Sequence, residues 1–255
     1  MKKNIIYTIT AICIILAATT LVTTKNTTDK TNIVYATQMK QTEPQYVLSA
    51  KSTEESYKAY VREDESNVVY IQDRKTDKVK KILVEPHLAS GIMSMEWFDD
   101  QKIIVYSHVS PFMGCVSVYD VSTKKLLLEK YCSKYSFGDT LDSFVYVKAA
   151  PHNSGKNKII NCKDKMVYQT KKNQGILDIV LNHKSNDIAM VVGQYADDSE
   201  TQRLQVIILE KRGDKYLKVK SQKIKSSEVD SVRWKGDEKV IVIQNGKREI
   251  ITKQH

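Results

Sequence analysis

Cysteine is the first residue type in this sequence whose spacing could do chemistry. Cys115 and Cys132 flank Val116 to Tyr131, a segment that reads as one β-hairpin. Residues directly opposite each other in an antiparallel pair lie about 4.5 to 5.5 Å apart, which is within reach of a disulfide bond. We therefore consider a disulfide between Cys115 and Cys132, against the alternative that a one-residue bulge puts them out of register. Cys162 would then be a free thiol packed as a small hydrophobic residue.

Histidines and carboxylates form no recognisable catalytic or metal-binding motif. Zinc sites are typically recognised by closely spaced ligand pairs such as H-E-x-x-H or C-x-x-C, and neither motif occurs in this sequence. The acidic loop from Tyr195 to Thr201 is the best calcium candidate, but it lacks the alternating oxygen ligands of a calcium loop. There is no glycine-rich phosphate loop, no G-x-S-x-G elbow and no nucleic-acid motif. We therefore predict no catalytic residue, no metal and no cofactor. The scattered candidates left are His87, His108, His152, His183, Asp99, Asp100, Asp139 and Asp142.

Aromatic residues offer a candidate contact surface instead. The chain has 14 tyrosines against 4 phenylalanines, and tyrosine combines a flat apolar ring with a polar tip, as binding surfaces do. Three aromatic residues fall close together in one stretch, Tyr131, Tyr135 and Phe137. We predict a contact patch there, while most other tyrosines are expected to be ordinary strand residues.

A repeated β unit must position these residues. Ser94 to Tyr131 reads as four strands, and its first part, Ser94 to Val105, aligns without a gap on Ser231 to Val242. Each copy places a tryptophan, Trp97 or Trp234, before a polar turn and a β-branched run suited to a strand buried on both faces. A period of about 40 to 50 residues with four strands per period is typical of propeller blades.

The spacing Trp, two residues, Asp, one residue, Lys, then an aliphatic strand resembles the repeat of TolB-like and WD40-like β-propellers. The proline that usually precedes the Asp, and the glycine that usually follows it, are absent from both copies. The resemblance implies an all-β fold for residues 45–255, with about four to five four-stranded antiparallel blades. Four blades plus edge strands is the alternative to five. Tyr46 to Leu48 could close such a ring by joining the last blade, and residues 133–140 are expected to form a loop.

The N-terminal 23 residues predict a signal peptide or a membrane anchor. A basic start precedes Ile5 to Val22, 18 residues without a charge, which is close to the roughly 20 residues that span a bilayer. Cleavage after Ala36 would release the protein, whereas retention would leave a hydrophobic helix and a polar tether over residues 24–44. Both fates predict an extracytoplasmic location, either membrane-anchored or secreted, and an oxidising compartment that permits disulfides.

Two classes of function fit these features. The first is a non-catalytic binding or scaffold module for a protein, a peptide or an anionic cell-envelope polymer, held at the membrane through residues 5–22. The formal net charge of +10 permits the polymer, although the lysines are dispersed and no nucleic-acid partner is expected. The second is an extracellular hydrolase with its site in the central funnel. Acidic and histidine side chains that converge at one axial end would favour the hydrolase, and an exposed tyrosine-rich face would favour binding.

Overall fold

The computed structural model describes residues 46–84, 91–195, 201–225 and 228–253. The chain divides into two compact units, Met1–Thr42 and Glu43–His255, and all described residues belong to the second. The predicted signal or anchor, its N-terminal helix and the whole of the tether lie outside the described residues. Within the described ranges, no helix has the length and apolar character needed to cross a membrane.

The described chain is all-β and forms five antiparallel sheets in succession, each a meander of neighbouring strands. The first sheet contains β1 (Tyr46–Lys51), β2 (Tyr57–Arg62), β3 (Glu65–Asp73) and β4 (Val79–Leu83). The second contains β5 (Ile92–Asp99), β6 (Lys102–Ser110), β7 (Met113–Asp120) and β8 (Leu126–Cys132). The third contains β9 (Lys134–Ser136), β10 (Val145–Val147), β11 (Lys158–Asn161) and β12 (Met166–Gln169). The fourth contains β13 (Gln174–Leu181), β14 (Ile188–Tyr195), β15 (Thr201–Arg212) and β16 (Lys215–Ile224). The fifth contains β17 (Ser231–Lys235), β18 (Lys239–Gln244) and β19 (Lys247–Thr252).

Apolar side chains on both faces of the sheets join each sheet to the next. Side chains alternate along a strand, so in β6 Ile103 and Val105 pack against the first sheet while Ile104 packs against the third. Equivalent clusters join the third sheet to the fourth and the fourth to the fifth. Among the described residues, none of these four clusters joins the fifth sheet to the first. Successive four-stranded sheets packed face to face make a β-propeller-like array, as the repeat predicts.

The two tryptophans occupy equivalent places, which confirms the repeat. Trp97 on β5 donates its indole N–H to the carbonyl of Ala50 on β1, at 3.2 Å. Trp234 on β17 donates its indole N–H to the carbonyl of Val180 on β13, at 3.1 Å. In both cases the first strand of one sheet is tied to the first strand of the sheet before it, and each ring packs against the apolar cluster between the two.

The hairpin turns share a second local signature. The carboxylate of Asp73 accepts hydrogen bonds from the N–H groups of the residues two and three positions later, and Asp120 accepts the same bond from the third residue. In both turns the fifth residue, Asp77 or Lys124, has a positive φ that turns the chain into the next strand. Side-chain oxygens that replace a backbone turn bond are the reason why aspartate starts such turns.

Two expectations about strand positions need correction, and the number of sheets agrees with one of the two alternatives. The strand that was expected to close the ring, β1, pairs with β2 and is the first strand of the first sheet. Residues 133–140 are not all loop, because β9 lies there and pairs with β10. The array has five sheets, as one of the two alternatives predicts, but the fifth has three strands among the described residues.

A buried ion pair holds the end of the fifth sheet against the fourth. Lys253 follows β19 and places its ammonium 2.9 Å from a carboxylate oxygen of Asp187 and 2.9 Å from one of Glu210. Lys253 is 8% exposed and Asp187 is 1% exposed. The other oxygen of Asp187 accepts a bond from the N–H of Lys211 at 2.8 Å. Because Asp187 is almost fully buried, removal of Lys253 leaves its carboxylate as a costly unpaired charge.

Candidate functional site

A cleft of about 450 Å³ lies where the first strands of the second, third and fourth sheets end. Glu96 and Phe98 come from the last residues of β5, and Tyr135 comes from β9. Asp139 follows β9, and His183 lies in the turn after β13. The cleft therefore exists only because three successive sheets are stacked side by side.

Aromatic rings form the apolar part of the cleft. The ring centroids of Phe98 and Phe137 are 5.7 Å apart, and those of Tyr135 and Phe137 are 5.9 Å apart, both pairs edge to face. The ring of Tyr106 on β6 packs against that of Tyr135, with 5.4 Å between the two ring centroids. Phe137 is buried, whereas Phe98 and Tyr135 are half-buried and keep part of their surface open. Edge-to-face pairs of this kind fix ring orientation, so the cleft has a preformed aromatic wall.

Two carboxylates and one imidazole supply its polar part. The hydroxyl of Tyr135 donates to a carboxylate oxygen of Glu96 at 3.3 Å, and burial raises the pKa of Tyr135 well above its usual range. Asp139 accepts a hydrogen bond from the hydroxyl of Ser143 at 3.2 Å. Glu96, Asp139 and His183 are all exposed. No lysine or arginine is among the described residues that line the cleft.

The predicted contact patch is brought together in part. Tyr135 and Phe137 both line the cleft, while Tyr131 lies on β8, the last strand of the second sheet, and is 40% exposed. Whether the three residues contact a ligand stays a prediction. Sequence reasoning did not single out Glu96 and Phe98. The signal for both was their position beside Trp97 in the repeat, one residue to each side, because alternation turns them away from the tryptophan and towards the third sheet.

The candidate disulfide is not formed in the structure. Cys115 and Cys132 are free, buried thiols. In the register of β7 and β8, Cys115 lies opposite Tyr131 and Cys132 lies opposite Gly114. A one-residue offset places two side chains on opposite faces of a sheet, so the sulfur atoms point away from each other. Cys162 is also free, but it is partly exposed and donates its S–H to the carbonyl of Asp142.

The remaining histidines and carboxylates form no metal centre within the described ranges. No group of three or more His, Cys, Asp or Glu side chains there could hold a metal ion. His108 and His152 are described and lie outside the cleft, whereas His87 and residues 196–200 of the acidic loop lie outside the described residues.

Two further clefts carry lysine. One of about 370 Å³, between the middle of β13 and the residues just before β17, contains Lys134 with Asp178, Glu228 and Asp230. Burial raises the pKa of Asp178 there. The other, of about 360 Å³, lies between the third and fourth sheets, and its lysines are Lys163, Lys165 and Lys211. Of the three clefts, only the aromatic one is lined by carboxylates without a basic residue other than histidine.

The comparisons with known proteins concern the fold alone. No protein-family model and no curated protein matches the chain. Hydrazine synthase of Kuenenia stuttgartiensis matches with a TM-score of 0.50 and 16% identity, over 82% of this chain and 58% of that one. A prolyl endopeptidase matches with a TM-score of 0.51 and 12% identity, over 82% of this chain and 35% of that one. The Dos1 propeller matches with a TM-score of 0.49 and 12% identity, over 78% of this chain and 53% of that one. The chain therefore spans between 35% and 58% of the length of these three structures, and at such identities the likeness carries no activity across.

Proposed function

We propose that the chain is an extracytoplasmic, membrane-tethered or secreted β-propeller-like module that binds a protein or peptide in the aromatic cleft. The observation that carries this proposal is the preformed wall of Phe98, Tyr135 and Phe137 at the ends of two adjacent first strands. Clefts of roughly 300 to 1,000 Å³ with aromatic walls and a few fixed polar groups are typical ligand sites. Support for the extracytoplasmic location comes from the N-terminal sequence.

A hydrolase is the second candidate, because the cleft gathers Glu96, Asp139 and His183 from three sheets. A general base must lie within hydrogen-bond reach of the group it activates. Among the described residues, no hydrogen bond joins these three side chains to one another. The hydrolase proposal predicts that His183→Ala abolishes cleavage of a bound peptide and leaves its affinity intact. Binding without any cleavage by the wild-type protein would exclude it.

Site-specific photo-crosslinking in intact cells tests the binding function. Benzoylphenylalanine replaces Tyr135 in the cleft, or Leu217 as a control, because Leu217 is 45% exposed on the outermost strand of the fourth sheet. We expect irradiation to join one defined protein or peptide to position 135 and not to position 217. The same products at both positions, or none at position 135, would contradict the proposal. The mass of the mature chain tells whether residues 1–36 are retained.

A further inference from the structure

The ligand that the aromatic cleft would take can be inferred from its charge. The whole chain carries a formal net charge of +10, so its long-range field attracts anions and repels cations. The cleft has the opposite local balance, because its ionisable residues other than Tyr135 are Glu96, Asp139 and His183, and no lysine or arginine lines it among the described residues. A site that is locally acidic on a basic protein selects its ligand against the general field.

The aromatic wall adds a second attraction for positive charge. Phe98 and Tyr135 line the cleft and are half-buried. A lysine ammonium or arginine guanidinium over such a ring is attracted by the negative face of the π system. Glu96 lies on the same face of β5 as Phe98, two residues earlier, and Tyr135 holds its carboxylate in place through the hydroxyl bond of 3.3 Å. Carboxylate and ring are thus presented side by side.

We infer that the cleft takes a cationic side chain, a lysine or arginine of a peptide segment, between the carboxylates of Glu96 and Asp139 and the rings of Phe98 and Tyr135. This inference rests on the proposed binding function and specifies its ligand. The apolar stem of the long side chain packs on the rings while its charged end reaches the carboxylates. Charge-assisted hydrogen bonds from the cation to Glu96 then set the selectivity over apolar side chains of the same length.

The test uses the full-length protein in mild detergent and three fluorescent nonapeptides of glycine and serine. They differ only at the central residue, which is lysine, norleucine or glutamate, and binding is followed by fluorescence anisotropy. We expect the lysine peptide to bind about five-fold more tightly than the norleucine peptide. This affinity ratio corresponds to the free energy of a strong exposed ion pair. The glutamate peptide should bind most weakly, although the field of the whole protein favours it.

Single-charge variants locate the effect. Glu96→Gln and Asp139→Asn should each weaken the lysine peptide several-fold and leave the norleucine peptide unchanged. Asp237→Asn removes the same charge from an exposed turn of the fifth sheet and serves as the matched control. If Asp237→Asn weakens lysine binding as much as Glu96→Gln does, the effect belongs to the global field and the inference fails.

Failure of the inference and failure of the binding function give different results. If the norleucine peptide binds as tightly as the lysine peptide and Phe98→Ala weakens both, the cleft binds peptides without charge selection, so only the inference is overturned. If none of the three peptides binds and crosslinking at position 135 yields no product, both the inference and the proposed function are overturned.

Discussion

Replacement of Trp97 by alanine should destabilise the protein by about 3 kcal/mol. The variant loses the hydrogen bond to the carbonyl of Ala50, worth about 1 kcal/mol net. It also loses the stacking on Tyr57, whose ring centroid is 6.0 Å away, and the packing against the cluster between the first two sheets. Because the ring is only partly buried, we count about 2 kcal/mol for this packing, below the 3 to 5 kcal/mol typical of buried aromatic rings.

Urea unfolding of the full-length chain, followed by far-ultraviolet circular dichroism, measures the change. Trp97→Phe keeps a ring and removes the N–H donor, so it should cost about 1 kcal/mol. Trp234→Ala should resemble Trp97→Ala, because Trp234 makes the same bond to Val180. A loss below about 0.5 kcal/mol for Trp97→Ala, or a large difference between the two alanine variants at equal m-values, would refute the equivalence of the two repeats.

Three further outcomes follow from the same structure. Lys253→Met should lower the free energy of unfolding by about 3 to 5 kcal/mol in a urea titration, because it leaves the buried carboxylate of Asp187 without its partner; an unchanged midpoint would contradict this. Hydrogen bonds from the turn lower the pKa of Asp120 from its usual 3.8 to about 2, so its stabilisation is complete above pH 4 and disappears as the pH falls through about 2. Asp120→Asn should therefore destabilise the protein at pH 6 and progressively less towards pH 2, and an equal effect at both pH values would be inconsistent with that coupling. Burial raises the pKa of Cys132 to about 12 and also raises that of Cys115, so both should resist alkylation until the chain unfolds and then react without reductant; a requirement for reductant would show that they are bonded.

Local signals in the sequence predict the sheets well. These signals are Trp97 and Trp234, the aspartates that begin turns, and the β-branched runs. Each of them acts within one hairpin or between neighbouring sheets, so it can be recognised in the sequence of the repeat. The three-residue strand β9 was missed because it is short and polar, with the sequence Lys-Tyr-Ser. The sequence of β1 does not identify its partner strand. Whether β1 pairs with the next strand or with the last sheet depends on how the rest of the chain folds, and in the structure it pairs with β2.

The candidate site is less accessible to sequence reasoning because it depends on register and stacking. A one-residue offset in the pairing of β7 with β8 decides that Cys115 and Cys132 face opposite ways. The hydrogen bond between Tyr135 and Glu96 joins residues that are 39 positions apart in the chain. His183 lies in the cleft only because the fourth sheet packs beside the third. The sequence predicts a contact patch from the close spacing of Tyr131, Tyr135 and Phe137, and two of these residues line the cleft, but it gives no indication of the acidic residues that line it.

Hydrogen–deuterium exchange with and without the lysine nonapeptide tests most directly whether the aromatic cleft is the ligand site. The account predicts slower amide exchange confined to the end of β5, to β9 and the residues up to Asp139, and to the turn that contains His183. This protection should vanish in the Phe98→Ala variant. Protection on the outer strands β8, β12 or β16, with no change around Glu96 and Tyr135, would contradict the account.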